Sequence, residues 1–155
     1  TDSLGAADYV AGLVAGSAEG LQFFLPAIIF IIGCFLAFAT GTSWGTFGIL
    51  IPICIAIFPV GNPLRIISIS ACMAGAVCGD HVSPISDTTV MSSAGAQSNH
   101  INHVSTQMQY AIPVAVVCVI GYLIAGVVQN WVIALGASLV ILIEVLEVIR
   151  KKSMN

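Results

Sequence analysis

Fifteen residues, GDHVSPISDTTVMSS at 79–93, hold most of the chemistry this sequence can do. Asp80 and Asp87 supply carboxylates, His81 an imidazole, and Ser83, Ser86, Thr88 and Thr89 hydroxyl oxygens. Carboxylate, hydroxyl and freed carbonyl oxygens are the donors that a small hard cation such as Na+ takes up. The two aspartates are seven residues apart, nearly two helical turns, so an unbroken helix would put them on one face. Pro84 lies between them and works against such a helix. The expected result is an unwound corner flanked by two acids. A carboxylate there can hold H+ or Na+ but hardly both, and that competition alone couples their exchange. Asp80 or Asp87 is the expected shared carrier, with His81 placed to tune it or to respond to pH. The structural alternative is capping: Asp80 for a helix starting near His81, Asp87 for one starting near Thr88. The two roles can coexist.

A second polar patch, TGTSWGT at 40–46, interleaves the hydroxyls of Thr40, Thr42, Ser43 and Thr46 with Gly41 and Gly45. Glycine and hydroxyl residues favour unwound backbone. Two such breaks in one short membrane segment are expected to meet at mid-depth, with Trp44 packed over the site or gating it. His100 and His103, even with Cys78, Asp80 and His81, do not make a standard zinc set. No metal beyond transported Na+ and no cofactor is expected. The five cysteines lie in apolar runs or at their edges and read as small buried hydrophobes.

These groups stand in a chain of 155 residues that is 58 % hydrophobic and only 7 % charged. A soluble domain carries about 25 % charge to make its skin, so the chain reads as a membrane protein. Four basic residues are too few for nucleic acid. No nucleophile, base and orienting group line up as an enzyme requires. Alternation of apolar and polar residues is absent, which argues against an outer-membrane barrel.

The elements that must position the site are therefore all helical: a polytopic membrane fragment with broken or re-entrant helices. Residues 24–58 would make a single helix of ~52 Å, too long for one span, so they form a broken-helix element, either unwound at its centre or turned back on itself. Residues 66–79 are apolar but reach only ~21 Å, and with the polar corner after them 66–96 reads as a re-entrant hairpin or a broken helix. Residues 97–107, QSNHINHVSTQ, read as a loop. Residues 108–149 form a transmembrane helical hairpin turned at Gln129-Asn130. A short helix is expected from about Ala6 to Ala18. Arg150, Lys151 and Lys152 place the C-terminus in the cytoplasm. Arg65 then lies inside if 66–96 is a hairpin, the favoured reading, and outside if it is a full span. The opening TDSLGAADY has neither initiator Met nor signal peptide, so 1–155 is expected to be a portion of a longer protein.

ATGTSWGTFGILIPI (39–53) and GAVCGDHVSPISDTTVMSSAGA (75–96) resemble the signature blocks of the NhaC family of sodium/proton antiporters, and LPAIIFIIGCFLAFATGTSWGT matches the approach to the first. The succession of segments from Leu4 onward is similar to the C-terminal portion of such a transporter. The resemblance implies an inverted-repeat ion transporter of the bacterial cytoplasmic (inner) membrane that exchanges Na+ for H+, some relatives coupling exchange to malate and lactate. It implies that Asp80, Ser83, Ser86, Asp87, Thr88 and Thr89 belong to the transport-site motif and Thr40, Thr42, Ser43 and Thr46 to its companion. It also implies, as partners, the lipid bilayer and the remainder of the transporter, with room for a homodimer, and no activity from this portion alone. A sodium- or proton-coupled carboxylate transporter of related fold is the alternative.

Overall fold

A computed structural model describes residues 19–153. The short helix expected at Ala6 to Ala18 lies outside the described residues. A 3-10 turn, Glu19–Phe24, leads into α1, Leu25–Thr40, which opens with Pro26, where a missing N–H costs nothing. The helix stops at Gly41, whose φ of 67° is open to a residue without Cβ. Thr42 restarts the chain by accepting the Gly45 N–H on its hydroxyl at 3.3 Å, capping α2, Ser43–Ile57. The break is thus only two residues wide, because Ser43–Thr46 forms the first turn of α2. Ile29, near the start of α1, shares a buried cluster with Leu50 and Cys54 of α2 and Cys72 beyond.

Asn62 and Pro63 do more than punctuate a turn. The Asn62 side chain accepts the Leu64 N–H at 2.9 Å and Pro63 opens α3, Pro63–Val82. This lengthens the expected 14-residue run to 20 residues, or ~30 Å. Asp80 and His81 therefore sit in the last turn of α3, and Asp80 caps no following helix. A break at Ser83–Ser86 leads to the short α4, Asp87–Gly95. Here Asp87 does serve the helix start, its Oδ1 accepting the Thr88 N–H at 2.7 Å. Residues 66–96 are thus a broken helical element.

The expected loop at 97–107 is mostly helix. Asn99 accepts the Asn102 N–H at 3.1 Å and starts α5, His100–Val128, whose first turns are polar. Gln129, at φ 52°, reverses the chain, and Asn130 accepts the Val132 N–H at 3.0 Å to begin α6, Trp131–Ser153. Among the described residues, four helices are long and apolar enough to cross a membrane: Gln22–Thr40, Pro63–Val82, His100–Val128 and Trp131–Lys151. The chain is an all-helical, multi-spanning membrane protein segment.

The bundle is organised by the seam between α1 and α3, which run parallel. Gly75 sits on the Phe30 carbonyl and Gly79 on the Cys34 carbonyl, while Gly33 meets the backbone of Cys72 and Ala76. Four-residue spacing of small residues lets two backbones touch, the way helices associate in lipid. α5 runs antiparallel along α3, with His81 beside Gln107 at one end and Ser70 bonded to Tyr122 (3.1 Å) toward the other. α6 packs on α5, where Gly121 makes room for Ser138. Arg65 consequently stands at the opposite end of the bundle from Arg150 and Lys151.

Candidate functional site

The parallel register of α1 and α3 brings the two breaks together. One turn beyond Gly79, the Ser83 hydroxyl donates to the Phe38 carbonyl at 2.8 Å. Gly41 packs so closely on Ile85 that a Cβ there would lie 2.9 Å from both Cγ1 and the carbonyl oxygen. Breaking a helix releases carbonyls, and side chains cap three of these. Ser83 caps Phe38, the Thr89 hydroxyl caps His81 at 3.1 Å, and His100 Nε2 reaches the Pro84 carbonyl at 2.7 Å. Each carbonyl keeps a second lone pair.

Beside this junction stands Asp80. Its Oδ1 is buried and has no hydrogen-bond partner among the described residues. The cluster of Ile29, Cys54 and Cys72 puts one residue of each of α1, α2 and α3 at a common level. Two helical turns toward the breaks, ~12 Å, lead from Cys72 to Asp80, from Cys54 back to Thr46, and from Ile29 to Ala37. Thr46 is 1 % exposed and Ala37 fully buried. Asp80, Ala37 and Thr46 thus lie the same number of residues from that cluster, each toward its own break. The Thr46 hydroxyl donates to the Thr42 carbonyl at 3.0 Å, which leaves its lone pairs free for a cation.

The remaining candidates divide by burial. Ser83, Ser86 and Thr89 are buried, and Ser86 Oγ lies 2.8 Å from Thr88 Oγ1. Asp87 and Thr88 are exposed. Thr42 and Ser43 are half-buried, and Thr40 is exposed with its hydroxyl on the Leu36 carbonyl at 2.8 Å. His81 is exposed, its Nε2 at 2.6 Å from the Gln107 amide nitrogen. Trp44 is 82 % exposed, stands edge-on to Phe47 and covers nothing at the junction. Grooves of about 1100 Å³ and 420 Å³ run along the flanks of α3, α5 and α6 and not through the breaks; only His81 and Gln107 connect the larger one to this region. Cys34, Cys54, Cys72 and Cys78 are free thiols within the packed α1, α2 and α3 core, Cys54 and Cys72 being buried. Two residues that sequence reasoning left out of the site stand against it: His100 and Gln107. The N-cap pattern of Asn99, three residues before Asn102, was the available sign that His100 begins a helix.

The family model described as Na+/H+ antiporter family matches residues 1–127. A Haemophilus influenzae protein described as uncharacterized is 48 % identical over 145 residues, 93 % of this chain and 28 % of its own length. The Malate-2H(+)/Na(+)-lactate antiporter of Bacillus subtilis is 37 % identical over 112 residues, 69 % of this chain and 24 % of its own. The Arginine/ornithine antiporter ArcD of Halobacterium salinarum is 32 % identical over 114 residues, again 69 % of this chain and 23 % of its own. The chain thus spans roughly a quarter of the length of the curated relatives it matches. No solved structure matches it.

Proposed function

The chain belongs to the Na+/H+ antiporter family, a transporter family rather than an enzyme family, and from that premise we propose that it carries the ion-exchanging corner of a secondary transporter in which Na+ and H+ compete for Asp80. The observation that carries this reading is the buried, unpartnered Asp80 Oδ1. A carboxylate oxygen removed from water without a donor calls for a proton or a cation. Thr46 offers a buried hydroxyl from α2, and Ser83, Ser86 and Thr89 line the break after α3. Asp87, exposed at the start of α4, is the secondary acid on the ion's way in or out. Gly41–Thr42 and Ser83–Ser86 are the joints across which the arms shift during alternating access. The remainder of the transporter completes the pathway as the other part of an inverted repeat. The C-terminus faces the cytoplasm of a bacterial inner membrane.

The test is sodium-dependent proton flux in everted vesicles containing the full-length transporter. Asp80→Asn abolishes exchange, a loss of more than about 100-fold on the scale of a buried charge stripped of its partner. Asp87→Asn keeps a measurable rate. Undiminished flux in Asp80→Asn overturns the assignment of the carrier, and undiminished flux in both variants overturns carboxylate competition itself.

The Bacillus subtilis relative favours a second reading, exchange coupled to an organic acid. Arg65 is the only basic residue away from the C-terminal cluster, and it lies at the far end of α3 from Asp80. A carboxylate substrate would accordingly be held by the rest of the protein. Labelled malate and lactate offered with labelled sodium to the same vesicles separate the readings: sodium-driven movement of either acid supports coupling.

A further inference from the structure

Resting on the reading of Asp80 as ion carrier, we infer that His100 is a positioning residue for the cation site, acting as the hydrogen-bond donor that fixes the Ser83–Ser86 break. Its Nε2 lies 2.7 Å from the Pro84 carbonyl, at the centre of the break. Its Nδ1 lies 3.0 Å from the hydroxyl of Ser93, which is 2 % exposed. A carbonyl only accepts, so Nε2 carries a proton. The ring is thus a strut between three parts of the chain: the break, α4 and the first residue of α5.

The strut matters because it holds the part of the break, the Pro84 carbonyl, that the contacts of Ser83, Ile85 and Thr89 leave alone. Ser86 starts α4 with no side-chain cap bond. α3 and α4 touch sparsely, while α4 leans on α5. Ser83 ties the near side of the break to α1, and Thr89 ties α4 to the His81 carbonyl. Among the described residues His100 alone bonds Pro84, the residue whose ring prevents α3 from continuing. Ser93 also reaches the Val90 carbonyl at 2.9 Å, and Ser98 bonds the Ser93 carbonyl at 3.3 Å, so the ring's anchor is itself held. Release of the Pro84 carbonyl lets the far side of the break relax, and the Ser86 hydroxyl and the start of α4 lose their fixed places relative to α3.

The inference separates donor geometry from mere bulk. In the full-length transporter, His100→Ala raises the sodium KM about 3- to 10-fold, the worth of one hydrogen bond, with kcat nearly unchanged. His100→Gln, whose amide nitrogen extends to the place of Nε2, restores the sodium KM. His100→Asn, whose amide matches Nδ1 and falls short of Pro84, does not. All variants are compared at equal membrane abundance. A wild-type sodium KM in His100→Ala overturns the inference, as does a Gln variant no better than Ala. Asp80→Asn, assayed alongside, keeps the two readings apart. If it still exchanges sodium, the ion-carrier reading falls. If it is inactive while His100→Ala binds sodium normally, only the role of His100 falls.

Discussion

α3 and α6 are both long enough to cross a membrane, yet the less apolar of the two is the more deeply packed. In α3, 44 % of the most apolar stretch is buried; in α6, which is richer in Leu, Ile and Val, 6 % is. The difference lies in residue size. α3 presents Ser68, Ala71, Cys72, Gly75, Ala76 and Gly79 to its neighbours, all buried. α6 exposes Leu135, Leu139, Ile143 and Leu146. In lipid a leucine gains nothing by leaving acyl chains for another leucine, so close backbone approach and polar contacts decide which helices associate. The helix that carries Asp80 is the one built to touch.

The largest effect expected from this contrast comes from Gly79→Val. Its added atoms run into the Cys34 carbonyl, which is backbone and cannot swing aside, so α1 and α3 must part next to Asp80. A loss of about 3 kcal/mol is expected, read as a lowered thermal midpoint in detergent together with lost exchange. Gly136→Ala on α6, where a Cβ would meet nothing within 4 Å, is the counterpart. It stabilises by up to about 1 kcal/mol through helix propensity. Equal damage from the two substitutions would break the comparison.

Thr46→Val sharpens it at the site. Valine keeps the shape and deletes the buried hydroxyl that α2 offers. The sodium KM should rise about 3- to 10-fold while thermal stability stays near wild type. An unchanged sodium KM would remove α2 from the ion site. The smallest effect is expected at the far end of α3, where Tyr122→Phe deletes the 3.1 Å contact with Ser70. Interhelical hydrogen bonds in lipid contribute about 0.6 kcal/mol on average, so the thermal midpoint should move little and exchange should not change.

Parts of this arrangement were legible along the chain. The apolar runs mark the spans, Gln129-Asn130 marks the last reversal, and the glycines and hydroxyls of 40–46 and Pro84 mark the two breaks. Boundaries were harder where one residue type serves two purposes. Asn62-Pro63 and Asn99 read as loop chemistry because asparagine and proline favour turns, yet the same preferences start helices. QSNHINHVSTQ looked like a loop because it is polar, and a helix with hydrophilic first turns carries no apolar pattern to reveal it.

Local chemistry therefore determined from sequence alone that this is a membrane-embedded helical chain, and where its helices fail. Apolar runs cannot be solvated by water, and glycine, proline and hydroxyl residues act on their own stretch of backbone. Which of the two aspartates has an oxygen buried without a partner was decided only by the tertiary structure. Asp80 and Asp87 are chemically identical in the sequence, but the seam that covers the Asp80 oxygen is made with a distant segment, as the contact from Ser83 to Phe38 shows by joining residues 45 apart. Burial is a property of what a distant segment brings alongside, and no window of neighbouring residues contains it.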